Sequence, residues 1–137
     1  MDAKPTTITR GAPESVEEAI REVRQYCDEC IAFCTGGHEL KDFYNFEADL
    51  KKRIFYFGCL FLKLYLLVAQ QGLDYTKWLE SGLYYLKSKP TGRTIKTFFG
   101  EVRYWRNYLV RKGEQGGGLF PLDVALGITR DGFSPLV

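Results

Sequence analysis

Residues 87–111 read KSKPTGRTIKTFFGEVRYWRNYLVR, and the change of pattern inside this stretch decides the fold class. Before it, apolar residues recur every three or four positions, the period of a helix. From Arg93 onward they alternate with polar ones, the period of a strand, and Pro90 and Gly92 mark the break. Residues 93–99 and 101–111 are rich in Thr, Ile, Phe, Val, Tyr and Trp, with Gly100 between them, which predicts a β-hairpin. On its second strand Val102, Tyr104, Tyr108 and Val110 share one face, interrupted by Arg106; Arg103, Trp105, Leu109 and Arg111 share the other. The fold class expected is α+β: a mostly helical N-terminal two-thirds with a long helix, followed by a small β-hairpin lobe.

Upstream of the break, Ser15 followed by Glu17 and Glu18 signals a helix start, and Gly36-Gly37 a stop. Val16, Ile20, Val23, Cys27, Cys30, Ile31 and Cys34 fall at helical spacing between them. A second, longer helix is predicted from about Glu39 to Gln71, ended by Gly72. Phe43, Phe46, Leu50, Phe57, Leu60, Leu64 and Leu67 follow an alternating three-four spacing along it, broken only by Arg53. Such a stripe needs a partner. Either the first helix and a helical stretch at 74–87 (Asp74 its cap) cover it, or a second copy of the chain does in a homodimer. Downstream, residues 113–118 read as a loop, residues 119–122 as a short strand, and Asp123 as the cap of a helical turn through Leu126. Residues 1–12 are expected to be a flexible tail, 13–88 a helical domain and 89–137 a basic hairpin lobe.

At 137 residues, 45% hydrophobic and 26% charged, the chain has ordinary globular composition, which excludes wholesale disorder. Its first residues carry no apolar signal core, so a cytoplasmic location with reduced cysteines is expected. The apolar run at 54–69 is sixteen residues with Lys63 near its middle. A membrane span needs about twenty, and a central Lys costs roughly 2.5–3.5 kcal/mol, so no membrane partner is expected. A membrane-associated protein anchored there is the least favoured reading.

The net charge of +2 hides an uneven distribution. Residues 1–86 hold 10 Lys/Arg and 13 Asp/Glu, a net of −3; residues 87–112 hold 8 and 1, a net of +7. Cations interleaved with Tyr104, Trp105 and Tyr108 suit a nucleic-acid surface, with charges on phosphates and rings against sugars or bases. Lys96, Arg103, Trp105, Arg106, Arg111 and Lys112 are the candidate DNA-binding residues. The competing reading is an edge protected by positive charge. Cys27, Cys30, Cys34 and His38 have ligand types that suit zinc. On a continuous helix, however, Cys27 and Cys34 lie about 10.5 Å apart along the axis, too far for one tetrahedral ion. No metal and no other cofactor is expected. No G-x-S-x-G or H-E-x-x-H is present, and Gly116-Gly117-Gly118 lacks the Lys-Ser/Thr of a phosphate-binding loop.

Four short motifs stand in order: Phe99-Gly100-Glu101-Val102, Arg103-Tyr104-Trp105-Arg106, Phe120-Pro121-Leu122-Asp123-Val124-Ala125-Leu126-Gly127 and Phe133-Ser134-Pro135-Leu136-Val137. Together they resemble the N-terminal region of bacterial insertion-sequence transposases of the ISKra group, over about a third of the chain. Many members of that group carry a Cys pair ahead of the Phe-Pro-Leu-Asp motif; here residues 111–118 contain none. The resemblance implies DNA transposition as the context and the ends of the mobile element as the DNA partner. It also implies an RNase H-like catalytic domain beyond Val137, so this stretch is expected to be non-catalytic: an N-terminal DNA-binding and assembly domain, or a truncated remnant. The alternative is a structural self-association module without direct DNA contact.

Overall fold

Ser15 opens the first helix by a reciprocal capping box. Its Oγ accepts from the Glu18 amide at 3.1 Å, and the Glu18 carboxylate accepts from the Ser15 amide at 3.0 Å. Those bonds to Ser15 hold the Glu18 carboxyl below its ordinary value. The computed structural model describes residues 14–36, 42–113 and 117–136. Helix α1 runs Val16–Thr35 and stops at Gly36. Helix α2 runs Phe43–Gln71, capped by Asp42 on the Asn45 amide and ended at Gly72. At 29 residues it is about 44 Å long.

After α2 the chain departs from the expected helix at 74–87. Only Thr76–Glu80 (α3) is helical, preceded by Asp74, which accepts from the Thr76 amide. Gly82, at φ 74°, turns the chain in a conformation other residues avoid, and Tyr84–Leu86 forms strand β1. The hairpin follows as expected: β2 (Thr91–Thr97) pairs antiparallel with β3 (Gly100–Arg106), Thr97 opposite Gly100 and Thr91 opposite Arg106. The second strand does not continue to Arg111. Asn107 donates from its backbone to Gln70 and from its side chain to Tyr75, so the end of α2 pulls the chain out of the ladder. Strand β4 (Leu109–Arg111) belongs to a separate three-stranded sheet in the order β1-β4-β5, with β5 at Gly118–Leu119. Pro121 begins helix α4 (Pro121–Leu126) instead of extending a strand, because its fixed φ suits a first helical turn. The free edge of β2 is covered by the chain at 132–134, where Lys96 exchanges backbone hydrogen bonds with Gly132 and Ser134.

Two cores are built on two faces of α2. Val23, Tyr26 and Cys30 of α1 meet Tyr56, Phe57, Leu60 and Leu64. On the other side Cys59, Leu62, Leu66 and Ala69 meet Ile95, Val102 and Tyr104 of the hairpin and Leu122 of α4. The two charges that interrupt the apolar pattern of α2 are both taken up by α1. Arg53 lies over the Phe33 ring at 4.2 Å, and Lys63 pairs with Glu14 and Glu22.

Gly58 sits in mid-helix, where glycine costs about 0.5–1 kcal/mol relative to alanine. Its reason is the hairpin turn: a Cβ there would stand 2.5 Å from the Phe99 ring. Gly58→Ala is therefore expected to destabilise by about 1–3 kcal/mol through overpacking. In a Phe99→Ala background the same change should be neutral or slightly stabilising. Urea unfolding of the four chains of this cycle checks the reversal of sign.

Candidate nucleic-acid interface

The register of the hairpin sorts its cations by face, since alternate residues point to opposite sides. Arg93, Ile95, Val102, Tyr104 and Arg106 form the inward set; Gly92, Thr94, Lys96, Glu101, Arg103 and Trp105 form the outward one. Arg106 is thereby removed from the surface, being 7% exposed. Its Nε donates to Asp123 at 3.0 Å and its guanidinium lies 3.7 Å from the centre of the Phe120 ring. It is a structural residue, and its expected role as a DNA contact is corrected. The physical reason is that a buried carboxylate needed it.

That carboxylate, Asp123, is 8% exposed and accepts three hydrogen bonds. One oxygen takes the Tyr104 hydroxyl, the other takes Arg106 and, at 3.2 Å, Arg93. Arg93 reaches on to the Thr129 carbonyl at 2.7 Å. Burial, followed by the bond to Asp123, raises the Tyr104 phenol well above its ordinary value, which keeps it protonated as a donor. Asp123 was expected to cap α4; instead Phe120 occupies the cap position and Asp123 points into the hairpin. Asp131, by contrast, is a turn residue, accepting from the Thr129 hydroxyl and the Phe133 amide.

On the outward face Arg103 and Trp105 lean on each other, the guanidinium 5.1 Å from the ring, over the space that Gly92 leaves by having no side chain. Trp105 is only partly exposed, with one ring face covered by Arg103. Lys96 is exposed, lies over the Phe133 ring and stands opposite Glu101. Arg111 and Lys112 are exposed at the end of β4, so Arg103 and Arg111 do not share a strand face as an unbroken ladder would require. Among the described residues none of Lys96, Arg103, Arg111 and Lys112 enters an ion pair. Lys87 and Lys89 are exposed beside them and belong with this set; the +7 segment contained that signal. The candidate cations thus lie on two sheets, and Arg106 is not among them.

The helical stripe is also relocated. Phe57, Leu60 and Leu64 face α1, Phe46 stacks on Phe33, and Leu67 is buried, so these are intramolecular contacts and not a surface for a second chain. Leu50 is partly buried and Phe43 is exposed. The apolar side of α2 that does face outward is Ile54, Phe61, Tyr65 and Val68, 46–57% exposed. The helical stretch Phe43–Glu80 is also long and apolar enough, by length and composition, to cross a membrane. Cys27, Cys30 and Cys34 lie along one continuous helix and, with Cys59, are free thiols. His38 lies outside the described residues, among which no cluster of three metal-ligating side chains occurs. No family model, curated protein or solved structure matches the chain.

Removing the carboxylate would leave the buried Arg106 and the half-buried Arg93 unneutralised. Asp123→Ala is expected to cost about 3–5 kcal/mol, and Tyr104→Phe, which loses one hydrogen bond, about 1 kcal/mol. Urea denaturation followed by near-ultraviolet dichroism checks the order.

Proposed function

We propose that this chain is a non-catalytic nucleic-acid-binding and assembly domain, of the kind that the ISKra-group resemblance implies for a transposase N-terminus, acting in the cytoplasm on DNA at element ends. One observation carries the reading. The hairpin lobe leaves Lys96, Arg103, Arg111 and Lys112 exposed and without an ion pair among the described residues, while Arg93 and Arg106 are held by Asp123. A sheet edge that needs protection from aggregation is already covered here by residues 132–134, which weakens the purely protective reading of the charge. The Phe-Pro-Leu-Asp motif has a structural role that fits the same lobe: Pro121 starts α4, Leu122 enters the core, and Asp123 holds the hairpin.

If these four cations meet phosphates, the logarithm of affinity falls against log salt with a slope of about −3.6, or 0.9 per contact. Lys96→Ala with Arg103→Ala should flatten that slope by about two, and Arg111→Ala with Lys112→Ala by a similar amount. Both pairs should weaken all sequences alike, because phosphate contacts carry no sequence information. Anisotropy titration of a duplex at two salt concentrations provides the measurement. An unchanged slope after both double substitutions would move DNA contact elsewhere and leave the self-association module as the reading.

Assembly has its own support in α2. Ile54 and Val68 lie seven residues on either side of Phe61, so an antiparallel second copy with its twofold axis at Phe61 would bring Ile54 of one helix opposite Val68 of the other. The occupant is a second copy of the chain. The ion pairs of Lys63 with α1 support a helix packed within the chain over the membrane-anchor reading. Phe61→Asp, on the exposed side, should give a folded monomer by sedimentation at micromolar concentration. Leu60→Asp, one residue away but buried, should unfold the chain at a cost above about 4 kcal/mol. A monomeric unsubstituted chain would exclude the dimer.

A further inference from the structure

We propose that the cavity between β2, Phe120 and the 128–130 segment binds a single nucleotide, its phosphate on Arg93 and Arg130 and its base against Tyr108. This rests on, and deepens, the reading of the lobe as a nucleic-acid surface. The cavity measures about 790 Å³, within the range of sites that enclose small ligands. It lies on the α4 side of the hairpin, away from the face of Arg103 and Trp105, because Arg93 stands opposite inward-facing Tyr104 in the ladder.

Its wall carries three guanidiniums, Arg93, Arg106 and Arg130, against the single carboxylate of Asp123. Asp123 already accepts from Tyr104, Arg106 and Arg93, and Asp131 in the same turn lies within electrostatic reach of Arg93, so the three guanidiniums exceed the nearby carboxylates by one charge. Arg130 is exposed and, among the described residues, forms no ion pair. Arg93 is anchored by Asp123 and by the carbonyl of Thr129, the residue before Arg130, which also lines the cavity. A fixed guanidinium fork matches phosphate oxygens, and pre-anchoring it lowers the ordering cost of binding. The aromatic side of the cavity is formed by Tyr108 and Phe120, whose rings are 4.7 Å apart. Arg106 covers Phe120, leaving Tyr108, which is partly exposed, as the ring that can lie against a base. Cationic and aromatic groups converging on one volume fit a phosphate joined to a planar base better than either alone.

The two sources of this chemistry are a free nucleotide and one nucleotide of a single strand, and both are probed on the full chain by amide NMR. Thymidine monophosphate is expected to shift the Tyr108, Thr129 and Arg130 amides saturably, and inorganic phosphate to do so only about tenfold more weakly. Arg130→Ala, at an exposed position, should lower nucleotide affinity by about tenfold, the worth of one charge-assisted hydrogen bond, with an unchanged melting curve. Arg103→Ala should leave nucleotide binding intact. Competition by an oligothymidylate for the same amides identifies a strand as the source; absence of competition identifies a free nucleotide. Equal affinity for phosphate and nucleotide, shifts confined to the Lys96–Arg103 face, or no loss in Arg130→Ala would each overturn the proposal. Because the mononucleotide readout does not depend on duplex binding, a chain that binds the nucleotide but no duplex would refute the interface reading while retaining this cavity.

Discussion

The fold depends on one geometric constraint: α2 must bury two faces at once. Its α1 side takes Tyr56, Phe57, Leu60 and Leu64, and its hairpin side takes Cys59, Leu62, Leu66 and Ala69. A helix that packs on two sides has little polar surface left, which is why residues 54–69 read as nearly continuous apolar sequence. The same constraint explains Gly58, where the hairpin turn comes close enough to exclude a side chain from the helix. It also ties the two halves of the chain together. The helical part and the β lobe do not have separate interiors that meet at a linker, because the C-terminal half of α2 is one wall of the lobe's core.

Electrostatics within the lobe follow from that packing. Once the hairpin is pressed on α2, its open end has to be held to α4, and the chain does this with a buried carboxylate bridging two strands. Arg93 comes from β2, Tyr104 and Arg106 from β3, and all three converge on Asp123. Buried ion pairs of this kind add little net stability compared with apolar packing, but they penalise every arrangement that leaves a charge alone. The node therefore specifies register: a one-residue slip of β2 against β3 would turn Arg93 or Arg106 outward and strand the carboxylate. A consequence for function is that the strongly basic segment divides into cations that build the lobe and cations that are left for a partner.

The capping box at Ser15 and the helix stops at Gly36 and Gly72 are legible because each rests on local chemistry, on residues within four positions of one another; the turn, expected at Gly100, is made by Phe98-Phe99 while Gly100 opens β3. Strand β1 was not legible. Tyr84-Tyr85-Leu86 has no signal stronger than the helical pattern before it, and it becomes a strand only because β4 offers it a ladder. The break after Arg106 was equally hidden, since Asn107 leaves β3 through bonds to Gln70 and Tyr75, more than thirty residues away.

The candidate site shows the same division. Composition by itself determined that residues 87–112 concentrate positive charge among aromatic residues, because charge is a property each residue brings with it. Which of those charges face solvent was decided only by tertiary structure. Arg103 and Arg106 are three residues apart in one strand, yet one lies exposed on Trp105 and the other is buried on Phe120 and Asp123. In the same way, helical spacing established that α2 carries apolar stripes, while the packing of α1 decided that Leu60 is interior and Phe61 exposed. The reason is common to both: a sequence states what each side chain prefers, and exposure depends on partners that the folded chain brings from a distance.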